Sequence, residues 1–449
     1  MRKTILSLTL LLTLLSHAQD LWTETCLFPN QDFYVSKISI ADDNVIWMSG
    51  SNQTAPGNNS QIWWRSTDSG TSWQHGSIDL GNPDLHVNSI SAISENTAYI
   101  SASSLSATET GGIWTTSNAG LTWTRQLVVL NAPFVNEPFD HSSNYVHFWN
   151  TNRGIAIGNP QNNLFETYNT VDAGVTWTAV AAVNLPAALP NEKGLFLPFE
   201  PREHSIWFST NKGRVFKSDD DGLNWSVSQA PDSQSYATLA FKNENDGILV
   251  SSGSTLPHYT SNGGITWNAN HNEAVGAIRR LQTFVPGTQN TYFSWFEEIL
   301  DFQRGSSYST DNGQSWIDLR TTDERPIEDV QSVSFKSNTV GYCIGLWPDG
   351  LHFFKLNSEA FHRLLQTQDV NIETVFVAAP NPAVDVVRIS GKDIQSIALF
   401  DLSGKKVLNQ NYPVSDDVVL DISKLRSGIY LVKITDRFEN SSAVKIVKE

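Results

Sequence analysis

A single eight-residue pattern recurs six times along this 449-residue chain and constrains the fold more than any other feature. The pattern is Ser/Thr-x-Asp/Asn-x-Gly-x-x-Trp, and its copies follow one another at intervals of 42 to 54 residues. A period of this size is typical of proteins in which one structural unit is copied along the chain. The third and last positions of the copies are Asp68 and Trp73, Asn118 and Trp123, Asp172 and Trp177, Asp220 and Trp225, Asn262 and Trp267, and Asp311 and Trp316.

The residue types in the pattern predict a tight turn followed by a buried anchor. A short Asp or Asn side chain hydrogen-bonds the backbone two residues on, and Gly adopts the positive φ that a tight turn needs. The Trp then lies on a strand and enters an apolar layer. We therefore interpret these Asp, Asn and Trp residues as structural.

Two short strands are predicted upstream of each copy, as at 87–92 and 97–102. A seventh strand pair, 330–336 with 341–346, has no copy of the pattern after it. Four short strands per repeat predict a β-propeller. We expect the segment that starts at Trp22 to close the seventh blade, because this would remove an exposed sheet edge. The predicted fold class is all-β: a seven-bladed β-propeller followed by a small C-terminal β-sandwich.

The repeated pattern resembles the Asp-box, or bacterial neuraminidase repeat. This repeat occurs in sialidases, sortilin, some xyloglucan-cleaving glycosidases and photosystem II assembly-factor propellers. The resemblance implies that each box is the turn between the third and fourth strands of a blade, on the rim away from the ligand face. It implies a fold and says little about chemistry.

The two ends of the chain predict export. Residues 1–18 have a basic start, an apolar run and a small-residue cleavage site, which together indicate a secretory signal peptide. Residues 19–357 are the predicted propeller, and 358–374 are read as a linker. Residues 375–449 contain Pro-Asn-Pro, Asp-Leu-Ser-Gly-Lys and a closing Val-Lys-Ile-Val-Lys, and resemble a type IX secretion C-terminal sorting domain. The resemblance implies the type IX secretion machinery as partner and a secreted or cell-surface location, reached through the periplasm.

The net charge limits the classes of binding partner, and the cysteine positions bear on whether a disulfide forms. The net charge of −16 argues against nucleic acid or a membrane surface as partner, since both favour basic patches. The apolar run of the signal peptide is too short to span a bilayer, and no later stretch is long enough. Cys26 and Cys343 both fall in the seventh blade. With one strand between them they would be too far apart to pair, so two free thiols are favoured over a disulfide.

Two groups of loop residues are candidate ligand contacts. Both groups lie on connections expected at the ligand face, where propeller sites form. The first, over blades 2 to 4, consists of Glu137, Asp140, His141, Asn159, Asn163 and Glu192, and the second, on blade 6, includes Glu297, Asp301 and Arg304. Glu192 is the first choice for a key polar group. The competing interpretation is that these residues are the solvated rim of an acidic protein, with Glu192 in an ion pair.

The preferred function is a binding or scaffold module for a glycan or protein ligand. A glycan-active enzyme is the alternative, because paired carboxylates beside aromatic residues suit glycoside hydrolysis. Sialidase itself is not expected, since the Phe/Tyr-Arg-Ile-Pro phrase of that family is missing. No motif for a metal or a cofactor stands out, so neither is predicted.

Overall fold

The computed structural model describes residues 21–28, 33–52, 61–104, 110–130, 144–195, 202–231, 237–251, 257–269, 281–296, 305–319, 330–347, 350–368, 376–401, 404–437 and 441–449. The predicted signal peptide lies outside these ranges. The chain divides into two compact units, Met1–Leu365 and Gln366–Glu449.

In the described part of the first unit, the strands form seven antiparallel four-stranded sheets. In six of them the strand order follows the chain, from an innermost strand A to an outermost strand D. These blades contain, in order, β2 to β5 (Phe33–Ile40, Ile46–Asn52, Ile62–Ser66, Gln74–Ser77), β6 to β9 (Leu85–Ala92, Ala98–Ser104, Gly111–Thr116, Thr124–Leu130), β10 to β13 (Asn144–Phe148, Gly154–Gln161, Leu164–Thr170, Thr178–Ala179), β14 to β17 (Gly194–Leu195, Ile206–Thr210, Arg214–Ser218, Ser226–Gln229), β18 to β21 (Ala237–Phe241, Gly247–Ser251, Pro257–Thr260, Asn268–Ala269) and β22 to β25 (Leu281–Phe284, Tyr292–Phe296, Gly305–Ser309, Ile317–Asp318).

The seventh blade joins the two ends of the propeller sequence. It contains β26 (Val330–Phe335), β27 (Gly341–Trp347), β28 (Gly350–Leu356) and, as its strand D, β1 (Trp22–Phe28). Trp22 is paired with Leu356, and Phe28 is paired with Leu351. The predicted all-β fold and the predicted closure by the N-terminal segment are thus confirmed.

The A strands of neighbouring blades contact one another around the central axis. Ser39 Oγ on blade 1 accepts a hydrogen bond from the Ala92 N–H on blade 2 at 2.9 Å. Ser89 Oγ on blade 2 accepts one from the Val146 N–H on blade 3, also at 2.9 Å. These small hydroxyl side chains satisfy backbone groups where the strands converge, so the blades fit closely at the centre.

The glycines of the repeated pattern lie where each blade meets the previous one. Gly120 has φ of 86°, and a Cβ placed on it would lie 2.6 Å from the Trp63 ring of blade 1. A Cβ on Gly313 would lie 2.3 Å from Ile248 Cδ1 of blade 5. Glycine is therefore required both by the backbone conformation and by the close approach of the neighbouring blade.

The cysteines lie on different strands of the seventh blade. Cys26 on β1 is opposite Phe353 of β28, and Cys343 on β27 is opposite Phe354 of the same strand. Strand β28 therefore separates the two residues, and both thiols are free. Cys343 is buried, which raises its pKa well above the usual value, so it is an unreactive core side chain.

The stretch predicted as a linker begins with a helix. Helix α1 (Ser358–Gln368) starts directly after β28, and its Phe361 is only 1% exposed. Phe361 packs in one core cluster with Leu21, Trp22 and Phe335. The first turns of this stretch therefore pack into the core of the first unit.

The second unit is a small β-sandwich of five described strands: β29 (Val377–Ala379), β30 (Val386–Asp401), β31 (Lys406–Asp421), β32 (Gly428–Asp436) and β33 (Ser441–Lys448). Alternate residues of its 16-residue strand β30, such as Val387, Ile389 and Ile397, are fully buried. Asn381, the centre of Pro-Asn-Pro, donates from Nδ2 to the Lys445 carbonyl and accepts from the Val447 N–H, both at 2.8 Å. The motif therefore holds the last strand in place.

Candidate functional site

The repeated turns lie on the same rim as the turns between strands A and B. In each of the six copies, a backbone N–H of the turn donates to a carbonyl of the A–B turn in its own blade. Ser69 donates to Asn44 and Ala173 donates to Asn152, both at 2.9 Å. We call this side the turn rim. The B–C and D–A connections lie on the opposite side, which we call the loop face.

The Asp or Asn at the third position of the repeated turn makes its hydrogen bonds within the turn. Asp220 Oδ1 accepts from Ser218 Oγ and from the Asn224 N–H, each at 2.8 Å, and its Oδ2 accepts from Asn224 Nδ2 at 2.6 Å. Burial raises the pKa of Asp220, but these hydrogen bonds outweigh burial and the net shift is downward. Asn118 and Asn262 make the equivalent bonds through their amide groups. This geometry supports a structural role.

In blades 1, 4 and 6, the Trp that ends the pattern also bonds within the turn. Trp73 Nε1 donates to the Gly70 carbonyl at 3.0 Å, and Trp316 Nε1 donates to the Gly313 carbonyl at 2.9 Å. Its ring contacts aromatic residues: Trp73 lies 4.5 Å from Phe353 of the previous blade, centroid to centroid. The indole therefore links the turn to the interface between blades.

Glu192, the first choice for a ligand contact, is an internal residue. Its side chain is 0% exposed, and Oε1 lies 3.4 Å from Arg214 Nε. Oε1 also accepts from Thr210 Oγ1 at 2.7 Å, and Oε2 accepts from the Leu189 N–H at 2.8 Å. The carboxylate therefore fastens the connection between blades 3 and 4 to blade 4. The alternative interpretation, an ion pair with a neighbouring Arg, describes this contact, except that the pair is buried.

Asn159 and Asn163 hold the same connection from blade 3. Asn159 is buried, and its Oδ1 accepts from the Gly194 N–H at 2.9 Å. The Asn163 carbonyl accepts from the Ala188 N–H at 2.8 Å, while its side chain is exposed. Asn159 and the Asn163 backbone thus bond the connection that contains Glu192, and the contacts of Asn159 and Glu192 fix loops to blades.

The other predicted contacts cannot be placed. Glu137, Asp140 and His141 precede β10, and Glu297, Asp301 and Arg304 follow β23; all six lie outside the described residues. They remain predictions. Trp295, the aromatic residue next to the second group, is 1% exposed and belongs to the core.

A polar group that the sequence did not suggest lies on the A strands of blades 1 to 3. Lys37 Nζ lies 4.5 Å from the centroid of the Tyr145 ring, so its side chain reaches from blade 1 to blade 3. His147 is stacked near Tyr145, with ring centroids 6.5 Å apart, and meets Trp149 edge-on at 5.2 Å. Burial, together with the Lys37 charge, lowers the pKa of His147 to about 3, so the imidazole is neutral at physiological pH.

Asn88 lies on strand A of blade 2, the blade between those that carry Lys37 and Tyr145. It has no partner in the register of β6 and β7, which shifts between Val87 and Ser89, so Asn88 is the extra residue of a β-bulge. Ser89, its neighbour, bonds the N–H of Val146, which stands between Tyr145 and His147. A bulge re-aims a side chain, so Asn88 departs from the regular alternation of β6. Lys37, Asn88, Tyr145 and His147 are called the inner-strand cluster below.

The Asn88 amide is buried without hydrogen bonds. The residue is 9% exposed, and among the described residues neither Oδ1 nor Nδ2 has a hydrogen-bond partner. Buried amides are nearly always satisfied, so such a group requires an explanation such as an ordered water or a ligand. The register also shifts on the inner strands of blades 1 and 7, between Val35 and Lys37 and between Val330 and Ser332. Three neighbouring blades are thus bulged near the beginning of strand A.

The described residues contain no group of three or more His, Cys, Asp or Glu that could hold a metal ion. None of the helices in the described ranges is long and apolar enough to cross a membrane.

Comparison with known proteins assigns the C-terminal unit. Residues 378–449 match the family model of the secretion system C-terminal sorting domain. This sorting domain indicates handling by the type IX system and secretion to the cell surface or outside the cell. None of the curated proteins compared with the chain matches it.

Solved structures similar to the chain are β-propellers. YCF48 bound to D1 peptide is 15% identical with a TM-score of 0.51, and the match covers 76% of this chain and 98% of that one. YCF48 from Cyanidioschyzon merolae is 12% identical with a TM-score of 0.51, covering 75% of this chain and 99% of that one. An ancestral GH74 enzyme is 13% identical with a TM-score of 0.48, covering 95% and 63%. At these identities the similarity shows the fold alone. The protein is therefore an exported β-propeller with a type IX sorting domain.

Proposed function

We propose that the protein is an exported binding module that holds a saccharide at the inner-strand cluster. The observation that carries the proposal is Asn88, whose buried amide makes no hydrogen bond to the described part of the chain through either polar atom. A sugar hydroxyl both donates and accepts, and two of them satisfy an amide nitrogen and oxygen together. Leaving these atoms without partners would be costly, so a ligand that supplies them is bound selectively.

The other members of the cluster fit this ligand class. The neutral His147 offers a ring face and one N–H, and Lys37 supplies a cation that would favour a hydroxyl or carboxylate oxygen. Pockets that combine aromatic surface with a few polar groups are typical of small-molecule sites. The predicted contacts Glu137, Asp140 and His141 lie on the connection that ends at β10, and we retain them as additional contacts from the loop face.

The test is a glycan array probed with the mature chain, residues 19–449. The wild type is compared with Asn88→Leu, which keeps the approximate shape and removes both polar atoms, and with Asn96→Leu on the turn rim of the same blade as control. We expect the wild type and the control to retain the same saccharides, with affinity at least about tenfold weaker for Asn88→Leu. Retention by Asn88→Leu at wild-type affinity would mean that Asn88 holds only water.

Two further assays separate the alternatives. Because one similar propeller is bound to a peptide, a peptide library is screened beside the array, and binding of peptides alone would replace the saccharide as ligand. Release of reducing ends from a retained saccharide would indicate the glycan-active enzyme, with Glu297 and Asp301 as the first carboxylates to replace. An array that retains no saccharide contradicts the proposal.

A further inference from the structure

The residue that follows the glycine of the repeated turn is aliphatic and exposed in four consecutive blades. The residues are Leu121, Val175, Leu223 and Ile265, which are 80%, 76%, 52% and 66% exposed on blades 2 to 5. Blades 1 and 6 have Thr71 and Gln314 at the same position. The four aliphatic residues are called the rim patch.

The shared turn geometry directs these side chains to one side of the molecule. Each turn has the same pair of bonds, from the glycine N–H to the Ser or Thr hydroxyl and from a later N–H to the Asp or Asn oxygen; in blade 2 these involve Gly120 with Thr116 and Thr122 with Asn118. The patch residue stands between these two N–H groups in every copy. Single exposed aliphatic residues are ordinary, but a repeated position on neighbouring blades gives a continuous arc. Val171, 75% exposed, widens the arc on blade 3.

The arc is surrounded by negative charge. The repeated turns of blades 2 to 5 and the described residues of their A–B turns contain eight Asp and Glu against three Lys and Arg. Those three cations are engaged within the protein. Arg153 pairs with Asp221, Arg202 Nε donates to the Phe241 carbonyl at 2.8 Å, and Lys242 Nζ donates to Asn290 Oδ1 at 2.9 Å. The carboxylates of Glu95, Glu203 and Glu244 are on exposed residues.

We propose that the rim patch is a docking surface for a protein partner that presents basic residues around aliphatic pockets. Aliphatic side chains in an acidic surround complement such a surface, because burial supplies affinity and the opposite charges steer the encounter. A second copy would bring like charges together, and an anionic membrane would do the same. The surface is separate from the inner-strand cluster, since the rim patch lies on the turns between strands C and D and the cluster lies on the innermost strands.

The test uses synthetic helical peptides as probes of this chemistry. A fluorescent amphipathic Leu/Lys peptide is titrated with the full mature chain, with Leu/Glu and Ser/Lys peptides of equal length beside it. The patch variant carries Leu121→Ser, Val175→Ser, Leu223→Ser and Ile265→Ser. The matched control carries Thr71→Ser and Gln314→Ser at the same turn position of blades 1 and 6. Sedimentation of each variant reports self-association.

We expect the Leu/Lys peptide to bind the wild type and the control equally, with affinity that falls as salt is raised. The patch variant should bind it at least about tenfold more weakly, and the other two peptides should bind weakly to every variant. Equal binding by the patch variant, or no binding of Leu/Lys to the wild type, would overturn the proposal. If the wild type sedimented as a dimer and the patch variant as a monomer, the partner of the rim patch would be a second copy of the chain and not a basic protein.

Discussion

The backbone N–H of Asn357 donates to the carbonyl oxygen of Leu21 at 2.9 Å, joining the residues on either side of the propeller sequence. Asn357 then begins helix α1, because its Oδ1 accepts from the Ala360 N–H at 3.1 Å. The helix places Phe361 in the same core cluster as Leu21 and Trp22. Ring closure therefore depends on residues that follow the last blade strand, as well as on strand β1.

Replacing Phe361 by Ala should destabilise the closed ring. Loss of a fully buried Phe costs about 3–5 kcal/mol of unfolding free energy. His362→Ala, on the exposed side of the helix, is the control and should change stability by less than about 0.5 kcal/mol. Urea unfolding gives both values, and hydrogen exchange of residues 22–28 should be faster in Phe361→Ala alone. Equal stability of the two variants would mean that the helix does not contribute to ring closure.

Truncation separates the helix from the rest of the predicted linker. A chain that ends at residue 368 should keep the melting temperature of the propeller, whereas one that ends at 357 should melt several degrees lower, since it lacks Phe361. The measurement is thermal unfolding followed by Trp fluorescence. If both chains melted together, the linker would begin at 358, as the sequence suggests.

Replacing Asp220 by Ala should cost about 1–2 kcal/mol of stability, because the turn loses its hydrogen-bond acceptor. Asp220→Asn should recover most of this loss, since Asn118 and Asn262 perform the same role in their own turns. Chemical unfolding measures both variants. A loss of saccharide binding in a well-folded Asp220→Ala variant would contradict the assignment of the turn rim as structural.

Glu192→Gln should lower the free energy of unfolding by about 2–4 kcal/mol, because it leaves Arg214 in a buried site without the opposite charge. The exposed Glu203→Gln is the matched control and should be close to neutral. Both are measured by urea unfolding at pH 7. If Glu192→Gln left the free energy of unfolding unchanged, Glu192 would again be a candidate ligand contact.

The lowered pKa of His147 predicts a pH dependence of stability. The folded pKa of about 3 lies below the value of the unfolded chain, so the unfolded chain binds a proton first as the pH falls below about 6.5. Stability should therefore fall between pH 7 and pH 5, by about 2 kcal/mol. His147→Gln should abolish that loss, and the exposed His204→Gln should retain it. Carboxylates contribute mainly at lower pH, and the difference between the wild type and His147→Gln gives the contribution of this imidazole.

The repeated turns allowed the fold to be predicted from the sequence, whereas the inner-strand cluster could not be predicted from it. Asp68, Gly70 and Trp73 act within eight consecutive residues, so their roles follow from local spacing. Lys37 and Tyr145 are separated by two blades in the chain, and their contact exists only because the ring brings A strands together. The bulge at Asn88 changes the alternation of β6 without any glycine or proline to mark it.

The contacts of residues outside the blade strands were also hard to predict from the sequence. Glu192 was chosen because its loop was expected to converge with the Asn159 turn at the loop face, but Arg214, twenty-two residues away, neutralises it inside the fold. Helix α1 (Ser358–Gln368) was missed although Phe361, Leu364 and Leu365 have helical i, i+3, i+4 spacing, and all three pack in one core cluster. For Glu192 the deciding contact is tertiary, so local pattern cannot supply it.

Hydrogen exchange of the mature chain, with and without a saccharide retained on the array, tests the position of the ligand site most directly. Binding at the inner-strand cluster predicts slower exchange in residues 35–38, 86–90 and 144–148, with unchanged exchange in the repeated turns at 66–73 and 218–225. Protection confined to the repeated turns, or unchanged exchange in all three inner strands at saturating saccharide, would contradict the account.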